Sequence, residues 1–149
     1  MKVKELGHVV LYVADLQRSV AFYRDVLGWE ALGDVRLGAP AAAFSSGRTH
    51  HELLLIEVGA DAQPIPGGRR LGMYHFGLKV GDSDDELRDA LRAVQEAGVT
   101  VVGASDHTVT HSLYIHDPDG NEIELYIDVP DVDWEDPALV LSPIKPLHL

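Results

Sequence analysis

Three histidines, two tyrosines and two glutamates crowd into the stretch SDHTVTHSLYIHDPDGNEIELY, residues Ser105–Tyr126. Imidazole exchanges a proton near neutral pH, and imidazole and carboxylate both ligate divalent ions. The stretch is therefore either an ordinary polar hairpin or part of a metal site with working groups beside it. Within NEIELY, Glu122 and Glu124 share a parity and hence one face of a strand. Glu122 adjoins the DPDGN turn, where a carboxylate is usually solvated. Glu124 lies deeper, between Ile123 and Leu125, whose side chains should face a core. A carboxylate that far along an apolar strand is costly unless paired or bound to metal, so Glu124 is the candidate ligand.

Two more candidates come from an internal duplication. LGHVVLYVADLQRSVAFYRDVLGWEALG and MYHFGLKVGDSDDELRDALRAVQEAGVTVVG each begin as a strand, cross an Asp and enter an amphipathic helix. A His opens each strand, with an Asp seven residues later: His8 and Asp15, His75 and Asp82. A lone strand-opening His is more often a satisfied polar residue than a ligand. Matching positions in a repeat raise His8 and His75 above that reading.

The repeat also sets the elements that must position these groups. Asp15 and either Asp82 or Ser83 suit helix N-caps, and Gly28 and Gly98 suit the C-terminal stops. Strand-like runs follow near Glu30–Arg36, Ala41–Ser46 and Glu52–Val58, then near Thr100–Ala104, Ser112–His116 and Glu122–Asp128. The expected class is α+β, with two tandem βαβββ modules forming a curved sheet around a metal-containing cleft. Module one spans about residues 1–60, a Pro/Gly-rich linker about 61–72, module two about 73–128 and an acidic tail 129–149, all in one domain.

The chain has 149 residues, 46% of them hydrophobic and 24% charged, and a formal charge of −12. Such a balance argues against nucleic acid and anionic membrane surfaces as partners. With no cysteine, any metal must be held by His and carboxylate, a set that suits Fe(II), Mn(II), Zn(II) or Ni(II). MKVKELGHVV has no apolar signal core and LLLI is too short to span a bilayer, so a cytoplasmic location is expected.

Over nearly its whole length the chain resembles the vicinal oxygen chelate superfamily, which includes glyoxalase I, fosfomycin-resistance proteins and extradiol dioxygenases. Both modules, the DLQRSVAFYRDVLGW helix and DPDGNEIELY carry the resemblance. It places His8, His75 and Glu124 at the metal positions. Three features are most similar to small catechol 2,3-dioxygenase-type proteins. GRTHHELLLIE looks like the segment holding an active-site His, best matched by His51, with His50 out of phase and pointing away. His107, Leu113-Tyr114, Asp117-Pro118 and Glu124 follow the extradiol signature, although Ser105 departs from it. ELYIDVPDVDWEDP resembles that branch's ending. The resemblance implies Fe(II), with Mn(II) possible, a catechol-type aromatic diol and O2 as substrates, and a homodimer. It makes His51 the base for a catechol proton and Tyr114 a donor to the substrate oxygen, oriented by His107.

The resemblance also implies rivals. A glyoxalase-like isomerase or lyase would use Glu57 as a fourth ligand, with Zn(II) or Ni(II). A fosfomycin-type transferase shares the three-ligand set, but no Lys, Arg and Ser/Thr cluster for a phosphonate is evident. A small-molecule-binding resistance protein would usually lack the triad.

Overall fold

The structure, a computed structural model, describes residues 1–36 and 38–149. It has an α+β architecture in two compact units, Met1–Ile65 and Pro66–Leu149, whose boundary falls within the Pro/Gly-rich segment. Among the described residues no helix is long and apolar enough to cross a membrane.

Unit one runs β1 (Val9–Val13), α1 (Leu16–Ala21), a π-helical turn (Phe22–Val26), β2 (Glu30–Arg36), β3 (Pro40–Ser45) and β4 (Leu53–Glu57). Its four strands lie in the order β1-β4-β3-β2, with β1 and β4 parallel and the other pairs antiparallel. The Asp15 side chain accepts from the Arg18 amide and starts α1. Sequence periodicity suggests one uninterrupted α-helix; instead the last turn widens, and the Leu27 amide donates to the Phe22 carbonyl. That turn buries both consecutive aromatics, Phe22 and Tyr23, the latter against Phe44 and Trp29. Gly28 then ends the helix at φ +69°, a backbone conformation open to glycine.

Unit two runs β5 (His75–Gly81), α2 (Asp84–Glu96), β6 (Val101–Asp106), β7 (Thr110–His116), β8 (Glu122–Asp128), α3 (Pro137–Val140) and β9 (Lys145–Pro146). The sheet order is β5-β8-β7-β6-β9. Ser83, and not Asp82, caps α2. Its side chain accepts from the Glu86 amide, while Glu86 Oε2 accepts from the Asp82 amide and the Ser83 hydroxyl, a capping box. Gly81 permits this, since a Cβ there would stand 2.6 Å from that of Glu86.

One face of this sheet is closed by the Leu87 and Val94 stripe of α2 over Leu113, Ile115, Ile123, Leu125 and Ile127, all 2% exposed or less. Each such side chain contributes about 1.5–3 kcal/mol by leaving water. The strict alternation along β8 leaves Glu122, Glu124, Tyr126 and Asp128 on the opposite face. The tail does not stand apart from the sheet: β9 extends it by pairing with β6 at Ser105–Pro146 and Asp106–Lys145.

Candidate metal and proton-transfer site

The DPDGN turn fixes the register that builds the site. Buried Asp117 accepts from the amides of Asp119 and Asn121 and from the Asn121 side chain, and Gly120 takes φ +90°. The hairpin then pairs His116 with Glu122 and Tyr114 with Glu124. On the other edge of β8, parallel β5 sets His75 opposite Glu122 and Gly77 opposite Glu124.

Four groups of unit two consequently form a chain. His75 Nε2 lies 3.2 Å from Glu124 Oε2. Tyr114 donates to Glu124 Oε1 at 3.3 Å, and its hydroxyl lies 2.7 Å from His107 Nε2. Burial and the Glu124 charge push the Tyr114 phenol up to about 12, so it remains a protonated donor through the ordinary pH range. His75 Nδ1 is buried without a hydrogen bond, and Glu122 Oε1 stands 3.7 Å from it. Gly77 leaves the space that this arrangement needs: a Cβ there would meet the Tyr126 ring at 3.2 Å and Glu124 Oε2 at 3.6 Å.

These observations test whether a metal fits. Two ligands at right angles on an ion, each about 2.1 Å from it, lie about 3 Å apart, which matches the His75–Glu124 separation. A metal-bound imidazole normally donates its other ring N–H to a carboxylate or carbonyl. The unpartnered Nδ1 facing Glu122 is suited to that, and a metal on His75 would make Glu122, expected from the sequence to be solvated, its supporting residue. Its shared parity with Glu124 was the available signal. Among the described residues no group of three or more His, Asp or Glu is assembled for a metal; unit two supplies a pair.

Unit one holds the remaining sequence candidates. The His8 and His51 rings lie 4.5 Å apart, centre to centre. His50 does not point away: its Nδ1 is 2.5 Å from His51 Nδ1 and its ring 6.4 Å from that of His8. Desolvation, followed by the charges of His50 and His8, lowers the His51 pKa, which favours the neutral imidazole of a proton acceptor.

Glu57 is placed elsewhere. It pairs with Val13 at the far end of β1, five residues from His8, or about 16 Å along a strand. Its Oε2 accepts from the Leu16 amide at 2.8 Å, at the start of α1. That separation is too large for Glu57 and His8 to share one ion, which removes the fourth ligand that a glyoxalase-like reading needed.

The family model described as Glyoxalase/Bleomycin resistance protein/Dioxygenase superfamily matches residues 5–125. The catechol-2,3-dioxygenase of Bacillus subtilis (strain 168) is 35% identical over 130 residues, covering 87% of this chain and 44% of that protein. An iron-dependent extradiol dioxygenase of Rhodococcus jostii (strain RHA1) is 32% identical over 147 residues, covering 87% of this chain and 46% of that protein. This chain thus spans less than half the length of either dioxygenase. A glyoxylase/bleomycin resistance protein/dioxygenase domain from Frankia sp. EAN1pec shares the fold, with a TM-score of 0.70 at 21% identity over 85% of this chain and 99% of that one.

Proposed function

This chain belongs to the glyoxalase/bleomycin resistance protein/dioxygenase superfamily, and we propose that it acts as an Fe(II)-dependent extradiol dioxygenase opening catechol-type diols with O2. The observation that carries the reading is the His75–Glu124 pair at 3.2 Å, backed by Tyr114 and His107. His75 and Glu124 are two ligands in this proposal. The resemblance assigns His8, at the matching position of the first module, as the third. Fe(II) is the assigned metal, with Mn(II) as the alternative, in keeping with an oxygen- and nitrogen-donor set.

When bound, iron supplies adjacent coordination positions for the two vicinal oxygens of the diol and for O2. The remaining work falls to side chains. Glu124, oriented by the Tyr114 hydroxyl, keeps one carboxylate oxygen toward His75. Tyr114, held protonated, has one O–H to give: it turns from Glu124 to a substrate oxygen when the diol binds, while His107 fixes the phenol's direction. His51, biased toward its neutral form, takes a proton from the diol and returns it later in the cycle. Ring opening next to the diol gives a muconate-semialdehyde-type product.

The test is anaerobic reconstitution with Fe(II), followed by a catechol panel under O2. A yellow ring-fission product is expected. Turnover of a hemithioacetal with no product from any catechol would overturn the dioxygenase assignment in favour of an isomerase.

A further inference from the structure

On the same sheet face, next to Glu124, lies a cavity of about 410 Å³ lined by Thr110, Glu124, Tyr126, Asp128 and Trp134. Four of these come from β7 and β8, where Thr110 pairs with Asp128. The fifth comes from the tail. Trp134 is 67% exposed, and among the described residues its indole stacks on no other aromatic ring. The segment that carries it is tethered on both sides. The Val129 amide donates to the Val109 carbonyl, and β9 returns the chain to β6. A large, tethered and uncovered aromatic face therefore borders a cavity that ends at a candidate metal ligand.

The charges around this cavity are one-sided. Among the described residues no Lys or Arg lines it. The Lys79 ammonium is committed to Asp128 Oδ2 at 2.7 Å and Asp82 Oδ1 at 2.5 Å, so two carboxylates and one ammonium leave a net charge of −1 beside it. Glu124 adds a further negative charge at its inner end. An anionic group placed here meets like charge and no free cation, whereas an alkyl or ammonium group meets the indole and phenol rings.

We infer that this cavity receives the ring substituent of the diol, with Trp134 as its aromatic wall and Asp128 as its charge filter. It accepts uncharged or cationic substituents and rejects carboxylates. The inference rests on the extradiol reading and deepens it by naming a substrate class.

Three catechols of similar size test it, carrying a propyl, an aminoethyl or a carboxymethyl group. Each is titrated anaerobically against the full-length, metal-free chain, with tryptophan emission as the readout. The other tryptophan, Trp29, packs in unit one against Phe44 and Tyr23, and Trp134→Phe identifies the signal that belongs to Trp134. The propyl and aminoethyl compounds should quench that emission, with half-saturation about tenfold or more below that of the carboxymethyl compound. Trp134→Ala, which removes the reporter, should weaken binding of the first two as read by isothermal titration calorimetry. Asp128→Asn, which leaves Lys79 with Asp82 alone and removes the net negative charge of that group, should narrow the gap. Equal or tighter binding of the carboxymethyl compound, or quenching that persists in Trp134→Ala, overturns the pocket assignment. If the Fe(II)-loaded protein still opens a catechol ring, the reaction assignment survives that outcome. If no catechol binds and no ring opens, both fall.

Discussion

The two strand-opening histidines occupy one backbone plan and keep different company. In unit one the Val9 amide donates to the Glu52 carbonyl, so His8 stands across from Glu52 as His75 stands across from Glu122. Two residues further on, the pairs diverge. Val10 lies opposite Leu54, whereas Gly77 lies opposite Glu124. Deleting a side chain on one strand and placing a carboxylate on its neighbour converts an apolar cross-strand contact into a carboxylate in a cradle. The first module groups three imidazoles, His8, His50 and His51, with Glu52 drawn off to Ser46 and Arg48. The second has the carboxylate, the phenol and the hydrogen bonds that aim them. Duplicated modules can thus acquire different chemistry by changing a single facing pair.

The largest effect should come from Glu124→Ala, which removes what the second module has and the first lacks. Activity should vanish, and metal affinity should fall by more than the roughly 10- to 100-fold that loss of a supporting residue costs. Metal analysis after desalting checks this. His51→Gln tests the first module's share. The rate constant kcat should drop about 100- to 10,000-fold, as expected for loss of a general base, with metal content unchanged. Gly77→Val writes the first module's residue into the second. Its side chain would collide with Tyr126 and crowd Glu124, so metal affinity should fall while circular dichroism stays native, and Gly77→Ala should be milder.

A pH titration sharpens the contrast further. Burial, with the Glu124 charge beside it, pushes the Tyr114 phenol up to about 12 from its ordinary 10.0. Its contribution to stability is complete below pH 10 and is lost as the pH rises through 12. Ultraviolet titration of wild type against Tyr114→Phe should reveal one phenol ionising late. The smallest effect belongs to Glu57→Ala. Loss of its bond to the Leu16 amide should cost about 1 kcal/mol in thermal or denaturant unfolding, with no change in metal binding.

Much of this was legible in the chain because alternation and caps are local physics. Asp15, Gly28 and Gly98 mark the helix ends, and the parity of Ile123 and Leu125 against Glu124 places the carboxylate on the open face of β8. Other features depend on partners distant in sequence. Glu57 shares a parity with His51, but only the β1–β4 register reveals that it sits at the wrong end of the strand. His50 turns onto His51 because the residues before β4 leave the strand's strict alternation. The β9 pairing and the position of Trp134 follow from a tail whose prolines identify no destination.

In the proposed site His75 and Glu124 hold one divalent ion. Titration of the metal-free chain with Mn(II), followed by the electron paramagnetic resonance of the free ion, tests it directly. Wild type should take up one ion per chain, and His75→Ala and Glu124→Ala should take up none at the same concentration. Full uptake by both variants would contradict the account.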